Sequence, residues 1–158
     1  GGPQLPASIT VDSLGSWTDF VGDEYKSFSG TAVYTTTINK VPVADVIKLD
    51  LGSVAENASV YLNGDYIGTV IDSPYQLYIP AEKFKGQDEL VVRVANSMAN
   101  RIAYMDKKGM DWKIFYNVNM SARKKENVKN GIFDASNWEP KSSGLLGPVM
   151  LIPVVVKQ

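Results

Sequence analysis

Short runs in which apolar and polar residues alternate constrain the fold of this chain more than any other feature. In residues 47–51 (IKLDL) the apolar residues occupy every second position, and Ala58, Val60 and Leu62 repeat the pattern. Successive side chains of a β-strand point to opposite faces of its sheet, so each run predicts a strand with one buried face. Further strands are predicted at residues 34–38, 75–79, 90–94 and 149–156.

Turn-forming residues separate these runs. Asn63-Gly64 favours the positive φ angles of a two-residue hairpin turn, so residues 66–70 are expected to return antiparallel to the preceding strand. Helix is predicted only at residues 97–105, with Met98, Ile102 and Met105 on one face, and as a single turn at 81–84. Short strands at this spacing predict an all-β sandwich with about eight strands.

Composition sets the size of the domain and excludes several classes of function. The 158 residues, 44% of them hydrophobic, predict an extended N-terminal segment at 1–16 and a single β-sandwich domain at 17–158. The net charge of −1 offers no basic surface for nucleic acid, and the longest apolar stretch, 149–156, is too short to span a bilayer. The chain has no cysteine and no histidine, which excludes disulfides and histidine-dependent catalytic sites.

Without histidine, hydrolytic chemistry would have to use paired carboxylates. Glu126, Asp134 and Glu139 lie in one irregular stretch and could converge as an acid and a base. Among 17 acidic residues such groupings arise by chance, so solvated surface charges are the favoured interpretation. Oxygen ligands could also hold a structural calcium ion, but no compact run of Asp and Asn with ligand spacing occurs, so no cofactor is expected.

Residues 106–143 show little periodicity and contain two of the three tryptophans. Sugars are recognised by flat aromatic rings together with planar polar groups that bind the hydroxyls. The candidate sugar-binding residues are Tyr104, Trp112, Trp138, Asn100, Arg101, Asn137 and Glu139. For each one taken singly a structural role is favoured: a tryptophan can pack in the core, Arg101 can pair with Asp106 or Asp111, and Asn137 can cap a turn.

Longer motifs resemble a known family. Residues 49–70 (LDLGSVAENASVYLNGDYIGTV) resemble the sugar-binding domain of glycoside hydrolase family 2, in which Gly68 would allow two backbones to approach closely. Residues 17–38 and 88–103 resemble other strands of such domains. Residues 133–153 (FDASNWEPKSSGLLGPVMLIP) resemble the C-terminal end of family 106 α-L-rhamnosidases, with residues 144–148 interpreted as a tight bend into the last strand.

The resemblance implies a galactose-binding-like jelly roll that is a C-terminal module of a larger bacterial polysaccharide-degrading glycosidase. It carries no catalytic residue, because the catalytic acids of the family have no counterpart here. The implied partners are carbohydrate, the catalytic domain of the parent enzyme, or both. The implied location is the periplasm, the cell surface or the extracellular medium. An independent lectin-like domain and a small carboxylate-based hydrolase remain as alternatives.

Overall fold

The computed structural model describes residues 5–114 and 124–155, which fall into two compact units. The sandwich unit contains the described residues of 9–17, 31–96 and 143–158, and the loop unit contains those of 1–8, 18–30 and 97–142. Residues 5–16 form no helix or strand. The prediction of one domain over residues 17–158 stays a prediction.

Eleven strands and two α-helices are formed by the described residues. The strands are β1 Thr31–Ile38, β2 Val46–Asp50, β3 Ser53–Ala55, β4 Asn57–Leu62, β5 Asp65–Val70, β6 Gln76–Pro80, β7 Asp88–Ala95, β8 Val128–Lys129, β9 Ile132–Phe133, β10 Gly144–Gly147 and β11 Met150–Val154. The helices are α1 Asp23–Lys26 and α2 Ala99–Lys107, and short 3₁₀ turns occur at Trp17–Asp19, Ala81–Lys83 and Lys125–Asn127.

The sandwich unit packs two antiparallel sheets over one apolar core. One sheet has the strand order β1-β7-β4-β5 and the other the order β11-β2-β6, while β3 pairs with β10. The alternation read from the sequence sets the buried face: the side chains of Leu49 and Leu51, and those of Val60, Val92 and Val94, are at most 2% exposed and belong to one cluster. The predicted all-β sandwich is therefore confirmed.

The hairpin predicted at Asn63-Gly64 joins β4 to β5, with φ angles of 52° and 86° at the two turn residues. The predicted role of Gly68 is wrong in one respect. A Cβ atom at this position would lie 2.9 Å from Cδ2 of Leu77, so the glycine leaves room for a core side chain and not for a neighbouring backbone.

Residues 144–147 correct a second prediction, because they form strand β10 and not a tight bend. Leu145 pairs with Val54 of β3, is 3% exposed, and donates its backbone N–H to the Tyr34 hydroxyl at 3.1 Å. The buried Leu145 side chain therefore anchors this glycine-rich segment beside β3.

The loop unit contains both α-helices and the small hairpin of β8 and β9. Helix α2 lies where helix was predicted, but its buried residues are Asn100 and Ala103. Met98 is 53% exposed, and Ile102 and Met105 are only half-buried. A polar contact made by Asn100, described below, turns this side of the helix inward.

Candidate functional site

All seven predicted site residues lie in the loop unit, in different environments. Asn137 and Glu139 are exposed, and Asn100 is buried. The other four are half-buried: Arg101, Tyr104, Trp112 and Trp138. The structure thus leaves the aromatic rings partly accessible, and the contacts of each side chain indicate what it can do.

Asn100 holds two segments of the loop unit together. Its Nδ2 donates to the carbonyl oxygen of Lys141 at 2.8 Å, and its Oδ1 accepts from the Lys141 backbone N–H at 2.8 Å. A buried amide that is bonded at both ends satisfies its own polar atoms and those of the irregular segment beside it. These contacts give Asn100 a structural role, and its contact with a sugar stays a prediction.

Asp106, which the sequence did not single out as a central residue, organises the segment around Trp112. Its side chain is 2% exposed, and its Oδ1 accepts from the indole Nε1 of Trp112 at 2.7 Å. The same oxygen lies 2.7 Å from Nζ of Lys113, and Oδ2 accepts from the backbone N–H of Ala135 at 2.8 Å. A buried carboxylate needs such a set of partners, and it fixes the orientation of the Trp112 ring in return.

Arg101 does not supply the ion pair considered for it, because Lys113 takes that place on Asp106. The guanidinium of Arg101 lies over the ring of Tyr104, with Cζ 5.5 Å from the ring centroid. A planar cation over an aromatic face is a favourable arrangement. The pair forms a small aromatic and cationic surface on α2.

Trp138 is anchored differently from Trp112. Its Nε1 donates to Oδ1 of Asn127 at 2.9 Å, and its ring meets that of Phe133 edge to face, with centroids 5.7 Å apart. Such a pair stabilises packing whether or not a ligand is bound.

A cleft of about 240 Å³ lies beside Trp112 in the loop unit. Its apolar wall includes Met110, Trp112, Ile132 and Phe133, and polar groups of Asp111, Lys113, Lys129, Asn130 and Asp134 surround it. This volume is below the range typical of sites for drug-sized ligands, so the cleft suits only a small ligand. Trp112 is the one predicted site residue among those that line this cleft.

The three carboxylates considered for catalysis do not show the properties of a glycosidase acid. Glu126 and Glu139 are exposed. The Ser136 hydroxyl donates to Oδ1 of Asp134, and this bond, helped by the Ser136 backbone N–H, holds the pKa of Asp134 below its usual value despite partial burial. A general acid needs the opposite shift, because it must be protonated at neutral pH.

Within residues 5–114 and 124–155, no group of three or more acidic side chains is placed to hold a metal ion. None of the helices in this part of the chain has the length and apolar character needed to cross a bilayer.

Comparison with known proteins gives one relative in sequence and a clear similarity in structure. No protein-family profile matches the chain. A Formosa agariphila protein provisionally described as a β-glucuronidase is 31% identical over 164 residues, which cover 94% of this chain. A solved rhamnosidase from Novosphingobium sp. PP1Y matches 93% of the chain at 29% identity with a TM-score of 0.74.

The chain spans only a small part of these relatives. It covers 14% of the Formosa agariphila protein and 13% of the Novosphingobium rhamnosidase. A β-glucuronidase structure from Ruminococcus gnavus matches 58% of the chain at 24% identity, with a TM-score of 0.48. The first two alignments cover nearly the whole chain and only a small part of each larger protein. Membership of family 2 or family 106 stays a prediction.

Proposed function

We propose that this chain is a non-catalytic accessory module of a larger bacterial glycoside hydrolase, whose catalytic domain lies in another part of the protein. The proportions of the matches carry this proposal. The chain aligns over 94% of its length with 14% of one protein, and over 93% of its length with 13% of another. These are the proportions expected of one module within a larger enzyme. The jelly-roll, galactose-binding-like architecture and the relation to families 2 and 106 belong to this proposal.

The chemistry of the loop unit supports the non-catalytic part of the proposal. The chain has no histidine, and the half-buried carboxylate among the three candidates, Asp134, has a lowered pKa. Retaining and inverting glycosidases both require one carboxylic acid that keeps its proton until it donates it to the leaving group. A fold alone does not determine function, so these groups, and not the sandwich, support a non-catalytic role.

Within the module, the Trp112 cleft is the proposed glycan contact. Asp106 accepts the indole N–H of Trp112, so the ring would be presented in a fixed orientation and little side-chain freedom would be lost on binding. The surrounding amide, ammonium and carboxylate groups of Asn130, Lys129 and Asp111 can bind sugar hydroxyls. Bracing of the parent catalytic domain is the second role included in the proposal.

We further infer that the parent protein works in the periplasm, at the cell surface or outside the cell, where a bacterium meets polysaccharides. This location follows from the proposed substrate class.

The purified 158-residue chain can test the proposal. Aryl α-L-rhamnosides and aryl β-glucuronides should not be hydrolysed, and turnover of either would overturn the non-catalytic role. On a glycan array, binding should be lost in Trp112→Ala and kept in Trp138→Ala, because Trp138 bonds to Asn127 and does not itself line the cleft. Binding that is kept in Trp112→Ala and lost in Trp138→Ala would assign the glycan contact to Trp138. If no glycan binds, bracing of the catalytic domain remains as the proposed role.

A further inference from the structure

The outer face of the four-stranded sheet carries an unusual group of side chains in the sandwich unit. We call it the tyrosine face and define it by Tyr61, Tyr66, Arg93, Ser59 and Thr69. Tyr61 of β4 lies opposite Tyr66 of β5, and Ser59 lies between Arg93 of β7 and Thr69 of β5. The five residues therefore form two adjacent rows across the sheet.

A β-bulge places Tyr66 on this face. Val60 pairs with Gly68 and Tyr61 pairs with Tyr66, so Ile67 is an extra residue on β5. Ile67 packs against the core, and the side of Gly68 where a Cβ would lie faces Leu77. Because Ile67 and Gly68 both face inward, Tyr66 and Thr69 can both face outward. In a regular strand, a residue three positions from an outward Thr69 would face the core.

The side chains of the tyrosine face hold one another in place. The rings of Tyr61 and Tyr66 are 5.5 Å apart and tilted by 59°, and Cζ of Arg93 lies 4.8 Å from the centroid of Tyr61. The hydroxyl of Thr69 is within 2.9 Å of the Tyr66 hydroxyl and 2.7 Å of the Ser59 hydroxyl. Tyr61 is thus a positioning residue between an aromatic ring and a cation.

Two groups on this face, Tyr66 and Arg93, remain accessible to a ligand. Tyr66 is 59% exposed, although it is a large aromatic side chain within a strand. Arg93 is exposed, and within the described parts of the chain no carboxylate forms an ion pair with it. A guanidinium held over a ring keeps its N–H donors free for a planar anion, and carboxylate is the group that it binds best.

The mixture of groups indicates the chemistry of the ligand. An apolar protein surface laid over this face would leave four hydroxyls and a guanidinium without outside partners, at a cost for each buried group. A sugar chain offers apolar C–H faces for the exposed ring, hydroxyls for Ser59 and Thr69, and, in a uronic acid, a carboxylate for Arg93. The positive charge of Arg93 complements an acidic glycan.

We infer that the tyrosine face binds a glycan containing uronic acid, with a pyranose ring stacked on Tyr66 and a sugar carboxylate paired with Arg93. This inference goes beyond the proposed function, which places glycan contact at the Trp112 cleft in the loop unit. The two surfaces share no residue, so variants can separate them.

Isothermal titration calorimetry on the full chain provides the test. The probes are a tetrasaccharide of galacturonic acid and the same tetrasaccharide with its carboxyls methyl-esterified. The acidic probe should bind at least about tenfold more weakly to Tyr66→Ala and to Arg93→Gln than to the unmodified chain. Arg93→Gln should also lose the preference for the acidic over the esterified probe, because the ester cannot form the ion pair.

Matched controls are available in the same chain. Tyr78 on β6 is 61% exposed and lies on the other sheet. Tyr78→Ala should bind the acidic probe like the unmodified chain. Tyr66→Phe keeps the ring and should retain most of the affinity. Melting temperatures recorded for every variant show that each remains folded.

The contrary outcomes are distinct. Affinity lost in Arg101→Gln or Trp112→Ala and kept in Tyr66→Ala would overturn this inference and leave the proposed function standing. Equal affinity for the acidic and esterified probes would overturn the carboxylate assignment. Absence of binding by the unmodified chain would overturn the inference, while hydrolysis of aryl glycosides would separately overturn the proposed function.

Discussion

At the scale of single residues, two buried carboxylates, Asp88 and Asp106, each hold neighbouring segments together. Sequence patterns did not identify this role for either residue. Asp88 has no exposed surface, and its carboxylate accepts from Nδ2 of Asn63 at 2.7 Å and from the backbone N–H groups of Lys85 and Gly86. Burial raises the pKa of Asp88, but these three hydrogen bonds outweigh it, so the pKa lies below its ordinary value of 3.8. An acid at the start of a strand is typically solvated, which is why sequence alone does not identify it.

Asp88 makes the stability of the fold depend on pH. A lowered pKa in the folded state means that this contribution is complete above pH 3.8 and is lost as the pH falls through the folded pKa. Asp88→Asn should lower the free energy of unfolding at pH 7 by about 2 kcal/mol and flatten its decline in acid. Urea unfolding at a series of pH values measures both effects.

Glu89→Gln is the control, because Glu89 is the exposed acidic neighbour on the same strand. Its unfolding free energy should follow that of the unmodified chain at every pH. An unchanged acid dependence in Asp88→Asn would show that this carboxylate does not contribute to it.

Asp106 should control the exposure of Trp112. Asp106→Ala removes the acceptor of the indole N–H and leaves Lys113 without its carboxylate, so we expect a loss of about 3 kcal/mol and a more accessible ring. Acrylamide quenching of tryptophan fluorescence measures the accessibility, and urea unfolding measures the stability. Asp111→Ala removes an exposed acid of the same segment and should change neither, whereas equal quenching in the two variants would contradict this role.

At the scale of elements, strand β10 depends on a glycine in a confined position. Gly144 has a φ of 113°, and a Cβ there would collide with the Tyr34 hydroxyl and lie 2.9 Å from Cε3 of Trp17. Gly144→Ala should therefore lower the unfolding free energy by about 3 kcal/mol, from backbone strain and overpacking together.

Gly64→Ala separates these two causes. Gly64 also has a positive φ, of 86°, but no atom lies within 4 Å of the position that a Cβ would occupy. This variant should lose only about 1 kcal/mol, the cost of the backbone conformation. Equal losses in the two variants, measured by urea unfolding, would show that packing around Gly144 contributes nothing.

The elements differ in how well their sequence predicts them, for a physical reason. Strands such as β2 and the hairpin between β4 and β5 follow local rules, namely alternation and the φ preference of Asn-Gly, and were predicted correctly. The bulge at Ile67 was not predicted, because no local sequence pattern marks one extra residue on β5. Its position depends on pairing with β4 and on packing in the core. The buried side of α2 depends on Lys141, which is 41 residues from Asn100.

At the scale of the whole molecule, the candidate site shows the same limit. Sequence placed two tryptophans in an irregular stretch with polar neighbours, and the structure gives them different anchors, Asp106 for Trp112 and Asn127 for Trp138. The link from Asp106 to Ala135 crosses 29 residues and leaves no periodic trace. The tyrosine face was missed because its residues look like the ordinary solvent side of alternating strands, and only strand pairing brings them together.

The two units should also differ in their resistance to local opening. The strands β2, β4 and β7 present alternating side chains to one apolar cluster, whereas the buried residues of α2 are one asparagine and one alanine. Local opening is least costly where few apolar side chains are buried. Amide hydrogens of β2, β4 and β7 should therefore exchange with solvent at least roughly 100-fold more slowly than those of α2.

Hydrogen exchange followed by mass spectrometry at neutral pH measures this difference, and Leu49→Ala supplies its control. Leu49 has no exposed surface, and truncating it should lower the unfolding free energy by about 3 kcal/mol. If the slowest amides exchange through global unfolding, this variant should accelerate β2, β4 and β7 together and leave α2 unchanged, because α2 already opens locally. Acceleration of α2 by the same factor would mean that both units unfold as one cooperative body.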